Sequence, residues 1–87
     1  MTYCVIFDKR VLKDFDLLPV GECDRIHDVL LAIADDPRSA GCQKMRGFVD
    51  VYRIRMGSYR LVYQIMETDK IVRVFRVGHR KDVYRNL

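Results

Sequence analysis

The chain reads as an α+β domain of order β-α-α-β-β-β, a mostly antiparallel sheet with an N-terminal helical hairpin packed on one face. Three observations predict it. Two runs rich in β-branched and aromatic residues, 49–56 and 59–66, flank Gly57-Ser58, a two-residue hairpin signal. Upstream of them, apolar residues recur twice at helical spacing. Each helix then has one apolar stripe and the sheet one apolar face. The economical arrangement packs the stripes on that face and leaves the other open.

The elements follow in order. Residues 2–7 read as a first strand, with Tyr3, Val5 and Phe7 alternating against Cys4 and Ile6. Asp8 suits an N-cap, and Val11, Leu12, Phe15 and Leu18 recur at helical spacing behind it. Pro19 and Gly21 are expected to end that helix. A second helix is expected over 22–34, with Cys23, Ile26, Leu30 and Ile33 on one stripe. Glu22 and Asp24 sit in its first turn, where the helix dipole favours acids. Pro37, Ser39 and Gly41 mark a loop that carries Lys44, Met45, Arg46 and Gly47 into the hairpin.

The tight turn sets the hairpin register. Met56 faces Tyr59, Arg55 faces Arg60, Ile54 faces Leu61, Arg53 faces Val62 and Tyr52 faces Tyr63. A four-residue polar loop, 67–70, then leads into a last strand over 71–77, with Ile65 opposite Val72 and Tyr63 opposite Val74. On that register Arg73, Phe75 and Val77 join the face of Arg53, Arg55 and Arg60. Arg76 falls on the apolar side opposite Leu61, where its stem can snorkel at the sheet's edge. The position of the first strand within the sheet stays open.

Length and composition bound the function. Eighty-seven residues make one domain, 1–87, with no repeat, linker or low-complexity tract. The opening segment is too short and too soon charged for a signal peptide, and no apolar run approaches a membrane span. Cys4, Cys23 and Cys42 are odd in number and unclustered, which fits a reducing cytoplasm and small packing residues. His27 and His79 sit in no ligand cluster, so no metal site is expected. No nucleophile elbow or phosphate-binding glycine loop is present, and no cofactor is implied.

Charge is divided. Residues 1–43 hold five Lys/Arg against eight acids, a net of −3, whereas residues 44–87 hold eleven against four, a net of +7. Side chains alternate across a strand, so Arg53, Arg55 and Arg60 share the face opposite to Tyr52, Ile54, Leu61 and Tyr63. Like charges directly opposite each other destabilise a sheet, and stability gives no reason to set Arg55 across from Arg60. A polyanionic partner does. Arginine binds phosphate through two donors and keeps its charge, and a cluster of guanidiniums can neutralise a phosphate that gains charge in a transition state. Arg80 and, four residues on, Tyr84 can join the site if the tail folds back. Lys44, Arg46, Arg73 and Lys81 are further cations outside that cluster.

The segments Lys44-Met45-Arg46-Gly47, 51–63 (Val-Tyr-Arg-Ile-Arg-Met-Gly-Ser-Tyr-Arg-Leu-Val-Tyr) and 77–84 (Val-Gly-His-Arg-Lys-Asp-Val-Tyr) resemble the RelE/ParE toxin superfamily, most closely its RelE branch. The resemblance covers essentially the whole chain. It implies the toxin of a type II toxin–antitoxin system: a ribosome-dependent endoribonuclease, an mRNA interferase that cuts messenger RNA in the A site. Cleavage would be metal-independent, with the ribose 2′-hydroxyl attacking its own phosphate to leave 2′,3′-cyclic phosphate and 5′-hydroxyl ends. Arg53 and Arg55 take positions where some members have lysines that activate the nucleophile or contact phosphate. Arg60 and Arg80 match transition-state arginines, and Tyr84 matches a tyrosine that stacks on a base. The implied partner is a cognate antitoxin, acidic and partly disordered, in a toxin–antitoxin hetero-oligomer. One departure stands out: a guanidinium is a poor general base. Proton removal then falls to Lys81, Tyr84 or His79, or the arginines act electrostatically. Two other readings remain: a ParE-like non-catalytic inhibitor of DNA gyrase, and an RNA- or ribosome-binding module that does not cut.

Overall fold

The computed structural model describes residues 3–38 and 41–79. Two helices and five strands follow in the order β1 (Cys4–Phe7), α1 (Lys9–Asp16), α2 (Val20–Asp35), β2 (Cys42–Lys44), β3 (Val51–Met56), β4 (Tyr59–Met66) and β5 (Ile71–His79). The strands form one sheet in the spatial order β1-β5-β4-β3-β2. Only β1 runs parallel to its neighbour, with Cys4 beside Ile71 and Phe7 beside Val74. The α+β class and the mostly antiparallel sheet are as expected, and the sheet gains a short strand, β2, within the stretch whose composition marks a loop. The short β2 pairs antiparallel with β3, with Gln43 opposite Arg53.

Both helices pack on one face, although Leu12 and Cys23 of the expected stripes are exposed. Val11 of α1 and Ile26 and Ile33 of α2 join Leu61, Tyr63, Ile65, Val72, Val74 and Val77 in a continuous core. Deep in it, the Tyr63 hydroxyl donates to the Pro37 carbonyl at 2.6 Å, and burial pushes its pKa well above the ordinary phenol value. Asp8 caps α1 as expected, accepting from the Arg10 backbone N–H at 3.0 Å. Pro19 has a different role from the one foreseen. It does not stop α1, which ends at Asp16, but stands as the N-cap of α2. Proline ends a helix and begins one equally well, because the first turn needs no N–H from it. The cysteine expectation holds for Cys42, which packs against the core, while Cys4 and Cys23 are exposed.

The hairpin register is the expected one at every pair from Met56–Tyr59 to Tyr52–Tyr63. The turn is made possible by Gly57 at φ +63°, in the left-handed region that glycine enters without steric cost. Between β4 and β5 the pairing is as expected up to Tyr63–Val74 and then shifts: Val62 faces Arg76 and Leu61 faces Val77. Phe75 is the extra residue of this β-bulge. It corrects two expectations, because Val77 lies buried in the core and Arg76 is not opposite Leu61. Beyond the end of β1, Asp14 of α1 takes over the open edge of β5. Its carboxylate accepts from the Val77 N–H at 3.0 Å and from Arg76 at 2.8 and 3.1 Å.

Candidate nucleic-acid interface

The face turned away from the helices is where the arginines meet. Arg55 of β3 stands directly opposite Arg60 of β4, and Arg60 in turn stands opposite Gly78 of β5. Gly78 adds no side chain to that row, and a Cβ built on it would meet nothing within 4 Å. The row is therefore two guanidiniums beside an open floor. Arg55 is exposed; Arg60 is half-buried and folds over the turn, donating to the carbonyls of Gly57 (3.4 Å) and Tyr59 (3.2 Å). Among the described residues neither has a carboxylate partner.

Arg53 occupies the next row on the same face, opposite Val62. Its guanidinium donates twice to the Gln43 side-chain oxygen, at 2.8 and 3.1 Å. Gln43 orients this arginine from the adjoining strand, and sequence reasoning missed it because β2 was read as loop.

The remaining expected residues divide. Arg73 is on the arginine face as expected, one row further from the turn, and is held by Asp8 at 2.8 Å. Lys44 is exposed on the edge strand opposite Tyr52, which turns it towards the helix side of the sheet. Arg46 is exposed in the loop before β3. Arg80, Lys81 and Tyr84 lie outside the described residues. His79 pairs with Tyr59, whose ring packs against the core, and meets it edge-on at 5.9 Å. The structure thus sets His79 apart from the arginine row. No group of three His, Cys, Asp or Glu able to hold a metal ion occurs among the described residues. No helix of the described residues is long and apolar enough to cross a membrane.

A pair of helices on one face of a five-stranded mixed sheet is the architecture of a known class of small toxins. The chain belongs to the ParE toxin family of type II toxin–antitoxin systems, whose sequence model matches residues 5–84. Among curated relatives, the mRNA interferase toxin RelE of Escherichia coli is 35% identical over 93% of this chain and 86% of its own length. A chain of the intact E. coli RelBE toxin–antitoxin complex superposes with a TM-score of 0.78 at 35% identity, covering 88% of this chain and 95% of that one. The archaeal RelE–RelB complex from Pyrococcus horikoshii contains a chain with the same TM-score at 26% identity, covering 95% of this chain and all of that one.

Proposed function

We propose that this chain is an endoribonuclease that cuts messenger RNA on the ribosome. The observation that carries the reading is the unneutralised Arg55–Arg60 row with Arg53 beside it. An RNA phosphate lying along it meets guanidiniums from two strands. When the 2′-oxygen attacks its own phosphorus, the non-bridging oxygens gain charge, and preorganised cations are worth most at that moment. The bond from phosphorus to the 5′-oxygen then breaks, leaving a 2′,3′-cyclic phosphate, and the leaving oxygen takes a proton. The electrostatic part of this work falls to Arg53, Arg55 and Arg60, with Arg80 joining from the tail. Lys81 and Tyr84 are the candidates for moving the protons, since His79 pairs away from the row. The reaction so written needs no metal. E. coli RelE, named an mRNA interferase, supports the reading by similarity.

The same surface calls for a guard. Solved relatives include toxin–antitoxin complexes, and we infer an acidic, partly disordered antitoxin that covers the cations and folds as it binds.

Mapping transcript ends after incubation with ribosomes tests the reading: cuts bearing 5′-hydroxyl ends are expected, and intact transcripts refute it. The name of the matching family favours one other reading, a ParE-like inhibitor of DNA gyrase. DNA-damage signalling with uncut transcripts is the outcome that selects it.

A further inference from the structure

The arginine face also carries an apolar depression that phosphate binding does not explain. A pocket of about 160 Å³ opens between the loop before β3 and the bulge of β5, lined by Arg10, Phe48, Val49, Val51, Gln64 and Phe75. Its floor is a small apolar cluster separate from the main core, with Val51 and Val62 buried beneath Met45 and Phe75. Phe75 is the bulged residue, and it stands between two cations: the guanidinium carbon of Arg73 lies 5.1 Å from its ring centre and that of Arg10 lies 5.9 Å away. One carboxylate, Asp8, holds both arginines, at 3.2 Å for Arg10 and 2.8 Å for Arg73. Gln64 donates its amide N–H to the Val49 carbonyl at 3.1 Å, which fixes the loop as one wall and directs the side-chain amide into the site.

Resting on the nuclease reading, we infer that this pocket receives one nucleobase of the single-stranded RNA whose phosphates the arginine row holds. Aromatic rings and guanidinium planes are the surfaces on which unpaired bases stack. Here an exposed phenylalanine (Phe48), a half-buried one (Phe75) and Arg10 border one depression, and an amide supplies a polar contact. Its place on the sheet agrees. Val51 and Gln64 face each other two rows from Arg55 and Arg60 and one row from Arg53, and each row is about 7 Å along a strand. That is close to the phosphate-to-phosphate step of an extended single strand. A base in the pocket therefore belongs to a nucleotide one or two steps from the phosphate on the arginine row. This makes the pocket a specificity subsite, distinct from the arginines that bear on the reacting phosphate. The cationic rim favours RNA over an apolar side chain of an acidic peptide, which would fill the floor but gain nothing from stacking on guanidiniums.

The probe is a 2′-O-methylated, uncleavable RNA trinucleotide, bound at low salt, with three versions that each lack one base. Loss of one particular base is expected to weaken binding to the unmodified protein roughly 5- to 150-fold. The same loss should cost little in Phe75→Leu or Phe48→Ser, whereas Phe75→Tyr should restore the sensitivity. The inference is overturned if all three abasic versions bind alike, if the one sensitive position persists in both variants, or if the variants weaken antitoxin binding alone. Thermal melts of the three variants exclude unfolding as the cause. Failure of the nuclease reading shows elsewhere, as uncut transcripts on ribosomes, so the two results separate.

Discussion

At the scale of single residues, the arginines oppose stability. Arg55 and Arg60 face each other with no carboxylate partner among the described residues, and like charges directly opposite destabilise a sheet. Arg55→Thr should therefore raise the melting temperature slightly while lowering cleavage. Arg60→Ala should cost about 3 kcal/mol of transition-state stabilisation, roughly a hundredfold in rate, by analogy with a lost oxyanion donor. Its circular dichroism should remain that of the folded protein. If Arg60→Ala instead cuts at full rate, the row is not the chemical site. This much was legible in the sequence, because a two-residue turn dictates which side chains meet. Gln43 was not legible: Cys-Gln-Lys is too short to display a period of two, so nothing marked it as a strand that could orient Arg53.

At the scale of elements, two carboxylates stitch the fold. Asp14 replaces a missing strand at the edge of β5, satisfying the Val77 N–H and the Arg76 guanidinium together. Asp14→Ala strands both groups in a mostly buried setting and should destabilise the protein by about 3 kcal/mol in urea unfolding. Asp14→Asn keeps an acceptor for the amide and should lose less. Glu67 ties the β4–β5 loop to the residue before β1 and to the segment after α2. It accepts from the Tyr3 hydroxyl at 2.6 Å, from Arg38 at 2.9 Å and from Lys70 at 3.1 Å. These bonds, that from Tyr3 first, hold its carboxyl down to about 2, below the ordinary 4.5. A depressed carboxylate stabilises the folded state above its unfolded pKa and loses that stabilisation as pH falls through the folded value. Acid titration of stability should show a loss between about 4.5 and about 2 that Glu67→Gln diminishes. An identical acid profile in Glu67→Gln would contradict this. The elements themselves were largely foreseen from periodicity, but their joints were not. Pro19 is compatible with either side of a helix boundary, and the bulge at Phe75 sits in a strand whose apolar residues fit both registers. The consequence fell on Val77 and Arg76, whose faces depend on that one extra residue.

At the scale of the whole molecule, the division of charge becomes a division of surface. The basic second half supplies β3–β5, and the acidic first half supplies the helices on the far face. RNA binding should be salt-dependent, with three arginine–phosphate contacts giving a slope of about −2 in log affinity against log salt. Arg55→Ala should reduce that slope by about 0.7, measured by titration at several salt concentrations. The pocket between Phe48 and Phe75 joins residues from α1, the loop before β3, β4 and β5. No local pattern could have drawn Arg10 to Phe75, since only the β1–β5 pairing brings them together.

The most direct measurement maps transcript ends on programmed ribosomes for the unmodified chain and for the double variant Arg55→Ala/Arg60→Ala. With the first protein 5′-hydroxyl ends are expected at discrete positions, and with a folded second the messages stay intact. Cleavage by the double variant at the unmodified rate would contradict it.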